Sequence, residues 1–165
     1  MKIVVTDTNV FIDLIQSNTI DAFFDCPLDI YTTDLVIYEI NIPNQRECLD
    51  KYILSERLKV MELSETEIAE AFALKTECNL KRITDKSVLL KAIQMQACLL
   101  TGDGDLRKEG KRAGLEVRGT LWVFREIWSE GLLDPTTLLK NLEILDLNSR
   151  LPQDALADMK RDLQK

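Results

Sequence analysis

Several carboxylates in this chain fall where carboxylates are out of place. Asp7 follows the apolar run Ile3-Val4-Val5 in VVTDTNVFIDL, and Asp103 and Asp105 follow Leu99-Leu100 in LLTGDGDL. Both runs read as buried strands, so two strands end on acids. In an open parallel sheet the carboxyl ends of the strands share one rim, and ligands bind there. Asp7 and Asp103 therefore belong on the same rim, close together if their strands are neighbours. Like charges brought close repel unless a cation sits between them, so an acid cluster at such a rim predicts a divalent cation. With oxygen donors alone, Mg²⁺ or Mn²⁺ is the expected type. Two further acids can join: Glu39 inside the apolar run LVIYEI, and Asp85 ahead of an amphipathic stretch, where a helix N-terminus favours a carboxylate. Each acid alone has a plainer explanation. Asp7 and Asp85 are good helix caps, Glu39 a solvated charge, and Asp103 and Asp105 turn residues beside glycines.

The elements that must position these acids alternate in type. After a first strand, helices are expected over 10–15 and 20–24, a strand over 29–32, and a helix over 35–42 capped by Asp34 and ended by Pro43. A helix over 48–54 and a strand over 58–63 follow. Ser64 and Glu67 then form a capping box opening a long helix to about Leu80. A helical run to about Gln96, a short strand over 97–101, a helix over 106–113 closed by Gly114 and a strand over 115–117 complete the alternation. Beyond Gly119 the pattern is helical only, over 120–130, 136–145 and 152–163. The expected fold is α/β, a three-layer sandwich with a mostly parallel central sheet, spanning 1–119, with residues 120–165 as an appended helical layer on the same domain.

Composition narrows the chemistry. The sequence has no histidine, which excludes Ser-His-Asp and Cys-His pairs, histidine acid–base couples and His-ligated metals. Cys26, Cys48, Cys78 and Cys98 form no Cys-x-x-Cys pair and read as reduced core thiols of a cytoplasmic protein. The longest apolar runs fall far short of a membrane span, and no secretory signal is expected. The net charge of −7 argues at first against a nucleic-acid partner. Its distribution is uneven: ten basic and six acidic residues lie between Lys75 and Arg118, a local excess of +4 against −11 elsewhere. That permits a basic surface beside an acidic body, or merely a solvated helical face.

The ordered set of a strand-end acid, a helix acid, a helix-start acid and a second strand-end acid resembles the PIN domains. These are metal-dependent nucleases that include the VapC toxins of bacterial and archaeal toxin–antitoxin pairs. The likeness spans the first ~115 positions. It implies a PIN-like fold in which Asp7, Glu39, Asp85 and Asp103 are the metal-binding and catalytic acids, Asp105 a frequent extra, and Asn9 and Thr101 supporting residues. The segment after Leu115 resembles a PIN subgroup with extra C-terminal helices.

The resemblance implies an endoribonuclease that hydrolyses RNA phosphodiesters with Mg²⁺- or Mn²⁺-activated water. Lys81, Arg82, Lys86, Arg107, Lys108, Lys111 and Arg112 would hold the RNA backbone. It also implies an antitoxin partner covering the rim if the protein is a toxin, with a housekeeping role equally compatible, and a homodimer. The alternative is an inactive PIN-like binding module that acts on protein partners through its tail, where Leu138, Leu142 and Leu145 form an apolar stripe. A phosphatase of the haloacid dehalogenase type also starts on a strand-end Asp but wants a second Asp two residues on, where this chain has Asn9.

Overall fold

Short β-branched runs separated by capped amphipathic stretches give this chain its alternation of strand and helix. The computed structural model describes residues 1–165. In chain order the elements are β1 (Lys2–Thr6), α1 (Thr8–Gln16), α2 (Ile20–Asp25), β2 (Leu28–Thr33), α3 (Asp34–Glu39), α4 (Pro43–Leu54), β3 (Leu58–Met61) and α5 (Glu65–Ala73). They continue as α6 (Ile83–Met95), β4 (Cys98–Leu100), α7 (Gly104–Arg112), β5 (Val117–Arg118), α8 (Thr120–Ser129), α9 (Pro135–Asn148) and α10 (Gln153–Leu163).

All five strands pair in parallel, in the order β3-β2-β1-β4-β5, with helices flanking the sheet as an α/β/α sandwich. The chain leaves β1 towards β2 on one side and later places β4 on the other, so the order reverses between β1 and β4. That switch point is where an open parallel sheet leaves a crevice at its carboxyl rim. The register pairs Val4 with Cys98, Val5 with Leu99 and Thr6 with Leu100, which ends the two strands level with each other.

The capping box at Ser64 and Glu67 is present, but α5 stops at Ala73 and does not reach Leu80. The cause lies across the fold in Glu109 of α7, whose side chain is buried. Its Oε1 accepts the Cys78 N–H at 2.6 Å, and its Oε2 accepts from Arg112, which also donates to the Lys75 carbonyl at 2.6 Å. These bonds hold residues 75–78 in a non-helical path that helix propensity alone does not show. Other boundaries differ from expectation as well: β3 stops at Met61, β5 is Val117–Arg118 and α9 runs on to Asn148. Thr33, not Asp34, caps α3, because its hydroxyl accepts the Val36 N–H. Pro43 opens α4 at its first turn, where a missing N–H costs nothing, and does not end α3. Asp85 lies within the first turn of α6, not before it.

The three C-terminal helices share the core of the sheet. One cluster of 36 buried apolar residues runs from Val4 and Leu99 in the central strands to Phe124, Met159 and Leu163 in α8 and α10. Leu138, Leu142 and Leu145 are fully buried in this cluster, so the stripe considered as a docking face is used inside the chain. All four cysteines are free thiols, and no helix is long and apolar enough to cross a membrane.

Replacing Glu109 with Ala strands the Cys78 N–H and unpairs Arg112. The expected loss is about 1–3 kcal/mol, read as a lower urea midpoint; an unchanged midpoint would show that the 75–78 path does not depend on this carboxylate.

Candidate active site at the carboxyl rim

The end of β1 is tied to the end of β4 by both backbone and side chain. The Asp7 N–H donates to the Leu100 carbonyl at 2.9 Å, extending the ladder by one residue. The Asp7 side chain is fully buried and caps α1: Oδ1 accepts the Thr8 N–H at 2.8 Å, and Oδ2 accepts the Thr101 hydroxyl at 2.9 Å. Thr101 Oγ1 in turn accepts the Asp103 N–H at 3.1 Å, and Asp103 Oδ1 caps α7 by accepting the Leu106 N–H at 2.8 Å. Cap and rim acid are therefore not alternatives here; Asp7 and Asp103 are both at once.

Glu39 and Asp85 arrive from the opposite side of β1. Thr33, at the end of β2, bonds the Ser87 hydroxyl at 2.9 Å, which fixes α3 against the first turn of α6. Glu39, the last residue of α3, accepts the Thr8 hydroxyl on Oε2 at 2.9 Å. Its Oε1 lies 3.4 Å from the Arg82 guanidinium, which also reaches Asp85 Oδ1 at 3.4 Å. A continuous chain of polar contacts thus joins Asp103, Thr101, Asp7, Thr8, Glu39, Arg82 and Asp85.

The electrostatics of the rim are strained in one direction. Burial raises the Asp7 carboxyl from its ordinary value to about 6, opposing its two hydrogen bonds, and the charges of Asp85 and Asp103 push it the same way. Burial also raises Asp85, with Asp103 and Glu39 adding to the shift and Arg82 opposing it. One residue before Asp7, the buried Thr6 hydroxyl has no hydrogen-bond partner. No three carboxylates stand close enough to form a ready-made metal cage, and Glu39 and Asp85 are both paired with Arg82. The donor set nonetheless fits a hard divalent cation. Every acid offers oxygen, no thiol or imidazole intrudes, and one arginine faces four acids, so the group stays short of positive charge.

The remaining sequence candidates divide by position. Asn9 is exposed on the first turn of α1 and lines a small cleft with Gly102. Asp105 is exposed on α7 and makes no hydrogen bond to the four acids; its charge is felt by Cys78 instead. Arg107 donates to the Thr101 carbonyl at 3.3 Å, so it supports the site directly. Lys81 and Lys86 flank Arg82 and Asp85 in the chain. Lys111 and Arg112 sit in the last turn of α7, roughly 12 Å along the helix from Asp103 at 1.5 Å per residue, and Arg112 is committed to Glu109. Lys108 is exposed midway along the same helix.

Thr8, Asp13 and Glu109 are polar groups that pattern reading did not single out. Asp13 is a lone acid inside the apolar VFIDLI, the same signal that marks Glu39. It accepts the Thr120 hydroxyl at 2.8 Å and the Ser149 hydroxyl on its other oxygen, pinning α1 to the start of α8 and the end of α9. A cleft of about 600 Å³ lies at the opposite edge of the sheet around Lys2, Gln96 and Gly114 and includes none of the carboxyl-rim acids.

A family model for the PIN domain (DUF3368) matches residues 3–165. Among solved structures, a PilT N-terminus domain protein from Sulfolobus solfataricus is similar at 14% identity and TM-score 0.45, with 77% of this chain and 92% of that one covered. VapBC2 from Rickettsia felis, bound to a DNA fragment from its promoter, is similar at 18% identity and TM-score 0.44, with coverage of 71% and 98%. No curated protein matches the chain.

Because the Asp7 carboxyl is raised to about 6 by folding, the folded state holds its proton through a range where the unfolded chain has released it. In metal-free buffer, the contribution of Asp7 to stability should fall as pH rises from about 4 to 6 and then level off. Asp7→Asn should lack that limb and be more stable than wild type at pH 7 by roughly 3 kcal/mol. Urea denaturation at stepped pH checks this; parallel profiles for the two proteins would contradict it.

Proposed function

Since this chain belongs to the PIN-domain family, we propose that it is a Mg²⁺- or Mn²⁺-dependent endoribonuclease whose acids are Asp7, Glu39, Asp85 and Asp103. The observation that supports this reading is the unbroken run of polar contacts that links acids from the end of β1, α3, α6 and the β4–α7 turn along one stretch of the rim. These four carboxylates would hold the cation, with Asp105 outside the set. When bound, a divalent cation supplies activation of a water for in-line attack on a phosphodiester and stabilises charge on the phosphate oxygens.

The chain's own residues prepare that chemistry. Thr101 ties the Asp7 carboxylate to the Asp103 backbone, so the two strand-end acids are held in fixed relation to each other. Thr8 does the same between α1 and Glu39. Arg82 supplies positive charge to Glu39 and Asp85 and competes with a cation for the same two groups. Asn9, Lys81, Lys86 and Arg107 lie around the rim, where an RNA backbone would pass. Residues 1–119 form the nuclease body and 120–165 a helical layer that shares its core.

An antitoxin partner belongs to the same reading. A segment that covers the rim and places an arginine among the carboxylates would neutralise the site much as Arg82 does within the chain. A homodimer and a cytoplasmic setting complete it.

Purified protein incubated with total RNA, its new ends mapped by sequencing, tests the assignment. Cleavage at defined positions is expected with Mg²⁺ or Mn²⁺, abolished by EDTA and by Asp7→Asn, and retained by Asp105→Asn. Cleavage that persists in the Asp7→Asn protein would overturn the site, and a folded wild type that cuts no RNA would favour the binding-module alternative.

A further inference from the structure

Beside the acids the chain forms a second polar feature that the nuclease reading does not use. A cleft of about 560 Å³ opens between the start of α8 and the turn that joins α9 to α10, and Arg107, Arg118, Arg150 and Trp122 line it. Gly102, between Thr101 and Asp103, is part of its wall and also part of the adjoining cleft of about 360 Å³ that contains Asn9. The feature is therefore continuous with the carboxyl rim.

Its charge stands against the character of the whole protein. In a chain of net charge −7, three arginines converge on one wall. Arg150 has no carboxylate partner, Arg107 bonds only the Thr101 carbonyl, and Arg118 shares the exposed Glu116 with Lys2. The one acid in the cleft, Asp13, is occupied by the Thr120 and Ser149 hydroxyls. The N-termini of α8 and α10 also face this region, and neither has a side-chain cap, which adds unpaired N–H groups to the positive wall. Trp122 is partly exposed, with Lys2 over its ring at 5.3 Å.

Guanidinium groups and an indole along a groove are the elements that bind a single nucleic-acid strand, the cations meeting phosphates and the aromatic ring a base. We infer that this cleft seats a single RNA strand on one side of the acids, with Arg107, Arg118 and Arg150 on the phosphates and Trp122 against a base. The inference rests on the nuclease reading for the polymer it names. It assigns Arg118, which closes the basic stretch but is not among the residues expected to hold RNA, together with Arg150 and Trp122, which neither the basic stretch nor the acid pattern marks. It also gives the C-terminal helices a role: α8 and the α9–α10 turn build one wall of a substrate groove whose other wall is α1 and α7.

The test uses the full chain in EDTA, so that binding is read without cleavage, and a fluorescent mixed-sequence single-stranded RNA of about 12 nucleotides. Arg118 and Arg150 are exposed, so Arg118→Ala/Arg150→Ala should fold normally, as a thermal melt will show. The double variant should bind about tenfold more weakly or worse, with the salt slope reduced by about 0.7 per arginine removed. Photo-crosslinking of wild type to 4-thiouridine RNA should mark residues 118–122 and 150–155. Unchanged affinity and slope, or cross-links confined elsewhere, would overturn the cleft. So would a wild type that binds no RNA but captures an acidic peptide there. Mn²⁺ binding by the same double variant separates the two claims. Metal bound with RNA binding unchanged leaves the acids standing without the cleft; RNA lost from the variant, in a protein that never binds metal, leaves the cleft without the nuclease.

Discussion

A carboxylate buried at the end of a central strand is the constraint on which the rest of this molecule depends. Asp7 sits at the β1/β4 switch point with no exposed surface, and its two oxygens are held by the Thr8 N–H and the Thr101 hydroxyl. Neither partner is charged, so the fold satisfies the hydrogen bonds of the acid without neutralising it. That is why burial wins and the carboxyl rises towards neutral pH. A core optimised for stability alone would place an apolar residue there; retaining the acid makes sense where a cation is to be bound.

The neighbouring elements follow from keeping that acid in place. β4 must end level with β1 so that Thr101 can reach it, and the Asp103 cap starts α7 at once so that a second acid faces the first. Thr33 and Ser87 lock α3 to α6, which sets Glu39 and Asp85 on Arg82. Glu109 holds the 75–78 path that leads into Arg82. Asp13 anchors the C-terminal helices to α1, so the tail is joined to the site by hydrogen bonds as well as by the shared core.

Much of this was legible in the sequence because it depends on local pattern. The strand-end acids, the capping box at Ser64 and the alternation of elements are short-range signals, and the structure has each of them. What escaped was set by partners far away in sequence. Helix propensity continues past Ala73, but Glu109 takes the backbone at Cys78 instead. Pro43 reads equally as a stop or as a first-turn residue, and only the extended backbone at Ile42 decides for the second. The basic stretch between Lys75 and Arg118 suggested one surface, yet Arg112 is spent on Glu109, while Arg150 comes to the rim from a distant turn. Asp13 was readable by the same rule as Glu39, a lone acid in an apolar helix, but its partners at Thr120 and Ser149 were not.

Calorimetric titration of Mn²⁺ into wild type, Asp7→Asn and Asp103→Asn is the most direct measurement of the central claim, because it reads the site without needing a substrate. Binding by wild type that is lost or strongly weakened in both variants would mean that the ends of β1 and β4 serve one metal site, as the Thr101 bridge predicts. A folded wild type that takes up no Mn²⁺ at millimolar concentration, or variants that bind as wild type does, would contradict it.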